Sequence, residues 1–416
     1  MRLGSKAALG FAGVLFAFSS MCLAGVNEWP QWRGPDRDGS SKEVGLLKQW
    51  PEGGPKLVWK VSSIGEGFSG VSVVKGKIFT MGDVDGASQM IALEEATGKK
   101  LWSAKMGEAG GGGGFPGTRA TPSVSGDLVC SLNQFGDLVS VEVLTGKEVW
   151  RKNLVKDFGG GNPRWGYAES PLVDGDKVFV TPGGGQGAIV ALNRKTGALL
   201  WQTKDFTDDA HYSSLTIADV LGQRQVIQLT AENVVGVAVA DGKVLWQAKR
   251  KGKVAVVPTP VYGDNEVFVT SGYGIGCDAF KISKDASGFK TAKLYDNKNM
   301  VNHHGGVILL NGYLYGHSDT KGWICQNFKT GEIAWANKGV GKGAIAYADG
   351  HFYIRSETGA GTIALIEANP KGYVEKSRFN QPDRSDKNSW AHPVIVNGKL
   401  YIRDQKNLFC YDVKGK

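Results

Sequence analysis

Apolar and polar residues alternate along this chain in short runs, each interrupted by a turn. The clearest example is Pro171-Leu-Val-Asp-Gly-Asp-Lys-Val-Phe-Val180, two alternating runs around an Asp-Gly reversal. Period-two alternation buries one face of a strand, and Asp-Gly at the reversal predicts an antiparallel hairpin. Related hairpins run from Val71 to Thr80, Pro122 to Ser131, Pro260 to Thr270, Val307 to Tyr315, Ile345 to Ile354 and Pro393 to Ile402, with a stretched form at 215–227. No stretch beyond residue 24 sustains 3.6-residue apolar spacing, so no helix is predicted.

A second hairpin follows in most copies and ends in tryptophan. It reads Ala92-Leu-Glu-Glu-Ala-Thr-Gly-Lys-Lys-Leu-Trp102, Val141-Glu-Val-Leu-Thr-Gly-Lys-Glu-Val-Trp150 and Ala191-Leu-Asn-Arg-Lys-Thr-Gly-Ala-Leu-Leu-Trp201, with shorter forms at 238–246 and 326–335. The steps 59 to 102, 102 to 150, 150 to 201 and 201 to 246 are 43, 48, 51 and 45 residues. Periods of about 40–50 residues with several short strands per unit mark propeller blades. Eight copies are predicted, each with strands A to D. The eighth stops after its third strand, Leu408-Phe-Cys-Tyr-Asp412, and Leu57-Val-Trp-Lys-Val61 stands before the first copy as a lone D strand. Pairing the two closes a ring and removes both open sheet edges. The expected fold is all-β: an eight-bladed β-propeller of four-stranded antiparallel blades at 57–416, preceded by an extension at 25–56.

Such blades put the A–B and C–D connections on one face of the disc and the B–C and D–A connections on the other. Here A–B and C–D are tight turns. The D–A connections are long and irregular, with the run Gly110–Gly114 in one and Gly159–Asn162 in another. Loop variation concentrates where binding happens, so the D–A/B–C face is the candidate working face. Residues just before strand A ring the channel mouth there. Aligning the copies on the A–B turn puts Phe68, Arg119, Tyr167, Glu169, His211, Tyr212, Val257, His303, His304, Lys342, Trp390 and His392 at that level. Four of the six histidines fall among them. A polar, partly aromatic funnel would suit an anionic or planar ligand. A metal site is not expected, because the histidines are spread over blades 4, 6 and 8, and adjacent His303 and His304 would point opposite ways on a strand. No catalytic residue is assigned. Gly-x-Ser-x-Gly, phosphate-loop and paired-carboxylate patterns are all missing.

Composition narrows the setting. The chain opens with a basic Met1–Lys6, an apolar run from Ala7 to Phe18, and Cys22-Leu-Ala24, the pattern of an export signal too short to span a bilayer. Cleavage is expected near Ala24, and whether Cys22 is lipidated stays open. Losing Arg2 and Lys6 with residues 1–24 takes the net charge from +9 to +7. The basic residues are scattered, which argues against nucleic acid as a partner. Cys130, Cys277, Cys325 and Cys410 show no Cys-x-x-Cys spacing and read as small buried thiols.

The phrase Ala-Leu-x-x-x-Thr-Gly-x-x-x-Trp at Ala92–Trp102 and Ala191–Trp201 resembles the tryptophan-docking repeat of the pyrroloquinoline quinone (PQQ)-like β-propellers. The start Trp29-Pro-Gln-Trp-Arg-Gly-Pro-Asp-Arg-Asp-Gly39 is similar to the opening of exported members with such repeats. The resemblance implies that Trp59, Trp102, Trp150, Trp201, Trp246 and Trp335 each pack on the next blade. In the quinoprotein alcohol dehydrogenases of this family, PQQ and Ca²⁺ sit in the channel on a Glu, an Asn and Asp residues. Here Glu169 and Asn302 are the corresponding candidates, with no Asp in register. The BamB-like branch is non-enzymatic and matches in size, blade count and export. The expectation is therefore an exported, monomeric, non-catalytic scaffold that binds a protein, an envelope polymer or a small ligand at its channel mouth. The alternatives are a PQQ/Ca-dependent oxidoreductase, or a carbohydrate-binding module using Phe68, Tyr167, Tyr212 and Trp390.

Overall fold

The protein is described from a computed structural model covering residues 27–415 together with Met1. Apart from Met1, the expected signal segment, its cleavage point and Cys22 lie outside the described residues. Blade 1 comprises Ser72–Val74, Lys77–Val84, Ala87–Glu94 and Lys100–Glu108 as strands A to D. The same antiparallel order recurs in seven further sheets. Lys56–Val61 lies antiparallel beside Asn407–Asp412, with Trp59 opposite Cys410. The orphan strand does complete the last blade, as the strand count requires.

One expectation fails. A five-residue helix, Leu154–Phe158, sits in the D–A connection between blades 2 and 3. Asn153 caps it by accepting from the Val155 and Lys156 amides, and Gly159 ends it at φ 68°. A single capped turn needs no apolar periodicity, so the pattern could not reveal it.

The core lies between neighbouring blades. Phe79, Met81, Met90 and Ala92 of blade 1 meet Val129, Val139 and Val141 of blade 2. Tryptophans bolt these layers together. The indole N–H groups of Trp59, Trp102, Trp150, Trp201 and Trp335 donate to the carbonyls of Glu95, Val143, Arg194, Val239 and Asn369, each in the next blade. Under Trp102 lies Gly146, at φ 73°, where a Cβ would stand 2.6 Å from the indole. The Thr-Gly turn thus supplies left-handed backbone and a flat seat at once. Trp246 shares a buried cluster with Val267, Val269 and Phe280 of the next blade, but its indole N–H donates to Gln225 of its own blade at 2.7 Å. Blade 5 offers no Thr-Gly seat, because its C and D strands run on as a long hairpin, Gly276–Asp285 and Gly288–Asn297. Tyr295 replaces the missing tryptophan of that blade and donates to Phe328 O at 2.9 Å.

The extension enters the channel and touches every blade. Trp29 exchanges two 2.8 Å backbone hydrogen bonds with Val73 of blade 1, and Pro30 O accepts from Val124 of blade 2 at 2.8 Å. Arg37 donates to Ser170 O and Pro171 O at the entry to blade 3 and to Leu215 O at the entry to blade 4. Trp32 donates to Thr259 of blade 5, and Arg33 to Val307 O of blade 6. Ser40–Ser41 adds a short parallel strand to blade 7, and Glu43 accepts from the Asn397 and Gly398 amides of blade 8. Arg33 and Arg37 both hold left-handed backbone, φ 61° and 56°, which for bulky residues persists only under strong tertiary constraint.

Candidate functional site

The inserted segment turns the D–A/B–C end of the channel into a cup. Its floor is Trp32 and Arg33, and its walls are loops from the blades around it. The cavity holds about 300 Å³. Nine of the twelve residues expected at the mouth line it: Phe68, Arg119, Tyr212, Val257, His303, His304, Lys342, Trp390 and His392. The other three do not. Tyr167 is buried within the wall and donates to Pro182 O at 2.8 Å. Glu169 lies 2% exposed, accepting from Thr181 N and Oγ1 and from Gln228 Nε2. Burial pushes its carboxyl up to about 7. His211 accepts from the Val256 amide at Nδ1, outside the cup.

One wall is a stack of planar rings. Phe68 stacks on Trp390 with centroids 4.3 Å apart, Trp390 on His304 at 4.4 Å, and His304 on His303 at 3.6 Å. The two histidines were expected to diverge as neighbours on a strand. They lie instead in the loop before Val307–Leu310, where nothing enforces alternation, and their rings run nearly parallel at 27°. Lys342 Nζ meets His303 Nδ1 at 2.8 Å and Asp319 Oδ1 at 3.1 Å. Glu357 lies 4.0 Å from Lys342 and 3.7 Å from His304 Nδ1. Burial holds the imidazoles neutral, with His303 lowered to about 2 and His304 and His392 to about 3. The same cause raises the Glu357 carboxyl and lowers Arg119 to about 10.

Sequence reasoning missed Trp32, Arg33, Phe115, Trp165, Tyr273 and Glu357. Phe115 and Trp165 sit inside long D–A loops, Tyr273 and Glu357 in B–C loops, where the copies share no register. Trp32 and Arg33 belong to a segment outside the repeat. The doublet Trp29-Pro-Gln-Trp-Arg, aromatic and basic in an otherwise polar leader, was the available signal.

The donor set tests the quinone–calcium group that the resemblance implies. Calcium takes six to eight oxygen ligands. Among the cup's lining residues Glu357 is the lone carboxylate, and it is shared with Lys342 and His304. Asn302 spends its amide on Gly306 of its own loop and on His317 O in the strand Tyr313–Ser318. Among the described residues, no three His, Cys, Asp or Glu side chains are grouped to hold a metal. The residues present do not fit that group.

A family model described as outer membrane protein assembly factor BamB matches residues 86–337. BamB from Moraxella catarrhalis superposes with a TM-score of 0.60 at 16% identity, covering 87% of this chain and 98% of that one. Quinohemoprotein alcohol dehydrogenase from Comamonas testosteroni gives 0.67 at 12% identity, covering 94% and 81%. At these identities both likenesses speak to the fold. A tetrathionate hydrolase of Acidithiobacillus ferrooxidans is 26% identical over 251 residues, which is 57% of this chain and 42% of that enzyme. Among the described residues, no helix is long and apolar enough to cross a membrane.

Proposed function

Since the chain belongs to the BamB family of PQQ-like propellers, we propose that it is an exported, non-catalytic scaffold of the cell envelope that engages its partner through the D–A/B–C face. The observation that carries this reading is the cup: loops from the blades converge on one face, over a floor supplied by the inserted segment. The opposite face presents tight turns. A binding role also agrees with the family's description as an assembly factor.

The chemistry of the cup supports binding over turnover. Its one carboxylate lies beside the Lys342 ammonium at 4.0 Å, and burial lowers its histidines to about 2 to 3, too weakly basic to take a proton from water near pH 7. A hydrolytic role like that of the 26% relative would need a base free to activate water. A sugar platform would need open ring faces, and Phe68 and Trp390 cover one another. Photo-crosslinkers placed at Phe115 and Tyr273 on the rim, 42% and 41% exposed, are expected to capture one defined envelope partner. A crosslinker at Leu144, 74% exposed on the opposite face, is expected to capture none. Capture from Leu144 alone would refute the assignment of the face. Dye reduction with alcohols after loading with PQQ and Ca²⁺ would refute the non-enzymatic reading.

A further inference from the structure

We propose that the cup receives a small organic anion with a flat apolar body, and that Trp32 and Arg33 make the N-terminal segment part of this site. The proposal rests on the reading of the cup as a binding site and names what it takes.

Charge comes first. Arg33, Arg119 and Lys342 line the cavity, opposed by Glu357 in its wall and by Asp319, 3.1 Å from Lys342, a surplus of one positive charge from three cations and two carboxylates. The neighbouring imidazoles are neutral and leave it unchanged. Enclosure by apolar walls makes that surplus act more strongly on a ligand than it would at an open surface.

Arg33 is the decisive residue. It is 4% exposed. Its Nη2 donates to Asp38 O and Val307 O, both at 2.6 Å. Its Nε and Nη1 have no acceptor, and no carboxylate among the described residues lies within ion-pair distance of it. Buried guanidinium groups are normally paired. Arg250 is 3% exposed and has Asp278 at 3.0 Å. Arg37, Arg355 and Arg403, equally buried, have no such carboxylate either and donate to carbonyl and side-chain oxygens instead. Arg33 differs from them in lining a cavity with two of its nitrogens unmatched, where an incoming carboxylate or sulfonate would supply the missing charge and acceptors.

The body of the ligand follows from the walls and the volume. Trp32, Trp165, Tyr212 and Trp390 give the cup aromatic sides. About 300 Å³ has room for roughly ten waters, the size of one or two fused rings with a charged group. Without the segment that carries Trp32 and Arg33 the channel would have no floor here, and the surplus charge would fall by one.

The test is calorimetric titration of the mature protein with 2-naphthoate, 2-naphthamide and acetate. Naphthoate is expected to bind at one site, at least about tenfold tighter than the neutral amide or the ring-free anion, the discrimination expected of a charged hydrogen bond. Arg119→Gln and Arg33→Gln are each expected to weaken naphthoate by about tenfold or more and to leave the amide unchanged. No saturable heat at millimolar naphthoate, or equal affinity for the amide, overturns the proposal. Unchanged naphthoate binding by folded Arg33→Gln overturns the role of the N-terminal segment. If Arg33→Gln does not fold, Arg33→Lys, which keeps the charge and removes the fork, carries that arm: reduced affinity supports the role and full affinity removes it. Rim crosslinking without naphthoate binding would sink this proposal and spare the scaffold. Naphthoate binding without crosslinking would do the reverse.

Discussion

Lowering the pH from 7 to 5 protonates histidines in the unfolded chain, where they titrate near 6.5, while four histidines of the folded protein resist. Burial pushes His303 to about 2, His304 and His392 to about 3 and His317 to about 4, with Lys342 adding to the effect at His303, His304 and His317. A folded-state value below the unfolded one means that the stability present above pH 6.5 drains away as acid is added. For a group that stays neutral when folded, the loss between pH 7 and 5 is about 2 kcal/mol, so four such groups lose about 8 kcal/mol. Glu169 runs the other way. Its folded value near 7 returns about 2 kcal/mol over the same interval. The net loss from these five groups is about 6 kcal/mol, lessened further by the raised Glu357 carboxyl, and is a large share of a typical domain's stability. Urea unfolding at half-unit pH steps measures it. His392→Asn isolates one contribution: it removes the titrating ring together with the 2.9 Å hydrogen bond from Nε2 to His304 O, and the loss of that bond shifts stability by the same amount at every pH. The variant is expected to lose about 2 kcal/mol less than the wild type by pH 5. A wild-type loss below about 1 kcal/mol, or a gap to His392→Asn that does not widen with acidity, would refute the account of these histidines.

Glu169→Gln tests the opposing group. Between pH 6 and 8.5 the Glu169 contribution is expected to fall by about 1 kcal/mol, so over that interval the stability of the variant should rise more steeply with pH than that of the wild type, by about that amount in denaturant unfolding. Gly146→Ala forces a left-handed alanine against Trp102 and is expected to cost about 2–4 kcal/mol by denaturant unfolding. Arg37→Met strands the carbonyls of Ser170, Pro171 and Leu215 inside the channel. A loss of about 3 kcal/mol or more is expected, with faster proteolysis of residues 27–41. Burial pushes the Cys130 and Cys410 thiols up to about 12 and Cys325 to about 11. These thiols should ignore a disulfide reagent at pH 8 and react once the protein is unfolded.

The ring was legible because each blade repeats the same physical problem. Alternating strands, a Thr-Gly seat and a tryptophan recur wherever one sheet must pack on the next. Trp246 shows the limit of that logic: its own blade obeys the pattern, but the receiving blade lacks the seat, and only the structure shows the indole turning inward. The mouth was legible only where residues lie in register with strand A, which recovered Phe68, His303 and Trp390. Tyr167 and Glu169 share that register, yet their blade's long loop folds over them and draws them into the wall. Phe115, Trp165 and Tyr273 come from loops that the repeat does not constrain. The floor came from residues outside the repeat altogether.

The seam beside Asn407–Asp412 gives the chain a built-in check on its own length. Residues 56–61 are made early and wait, unmatched, until synthesis passes residue 412. A polypeptide truncated before 407 would leave two raw blade surfaces and an unclaimed first strand, and proteases would find both. Long-range closure of this kind is slow, but it admits only finished molecules to the folded pool.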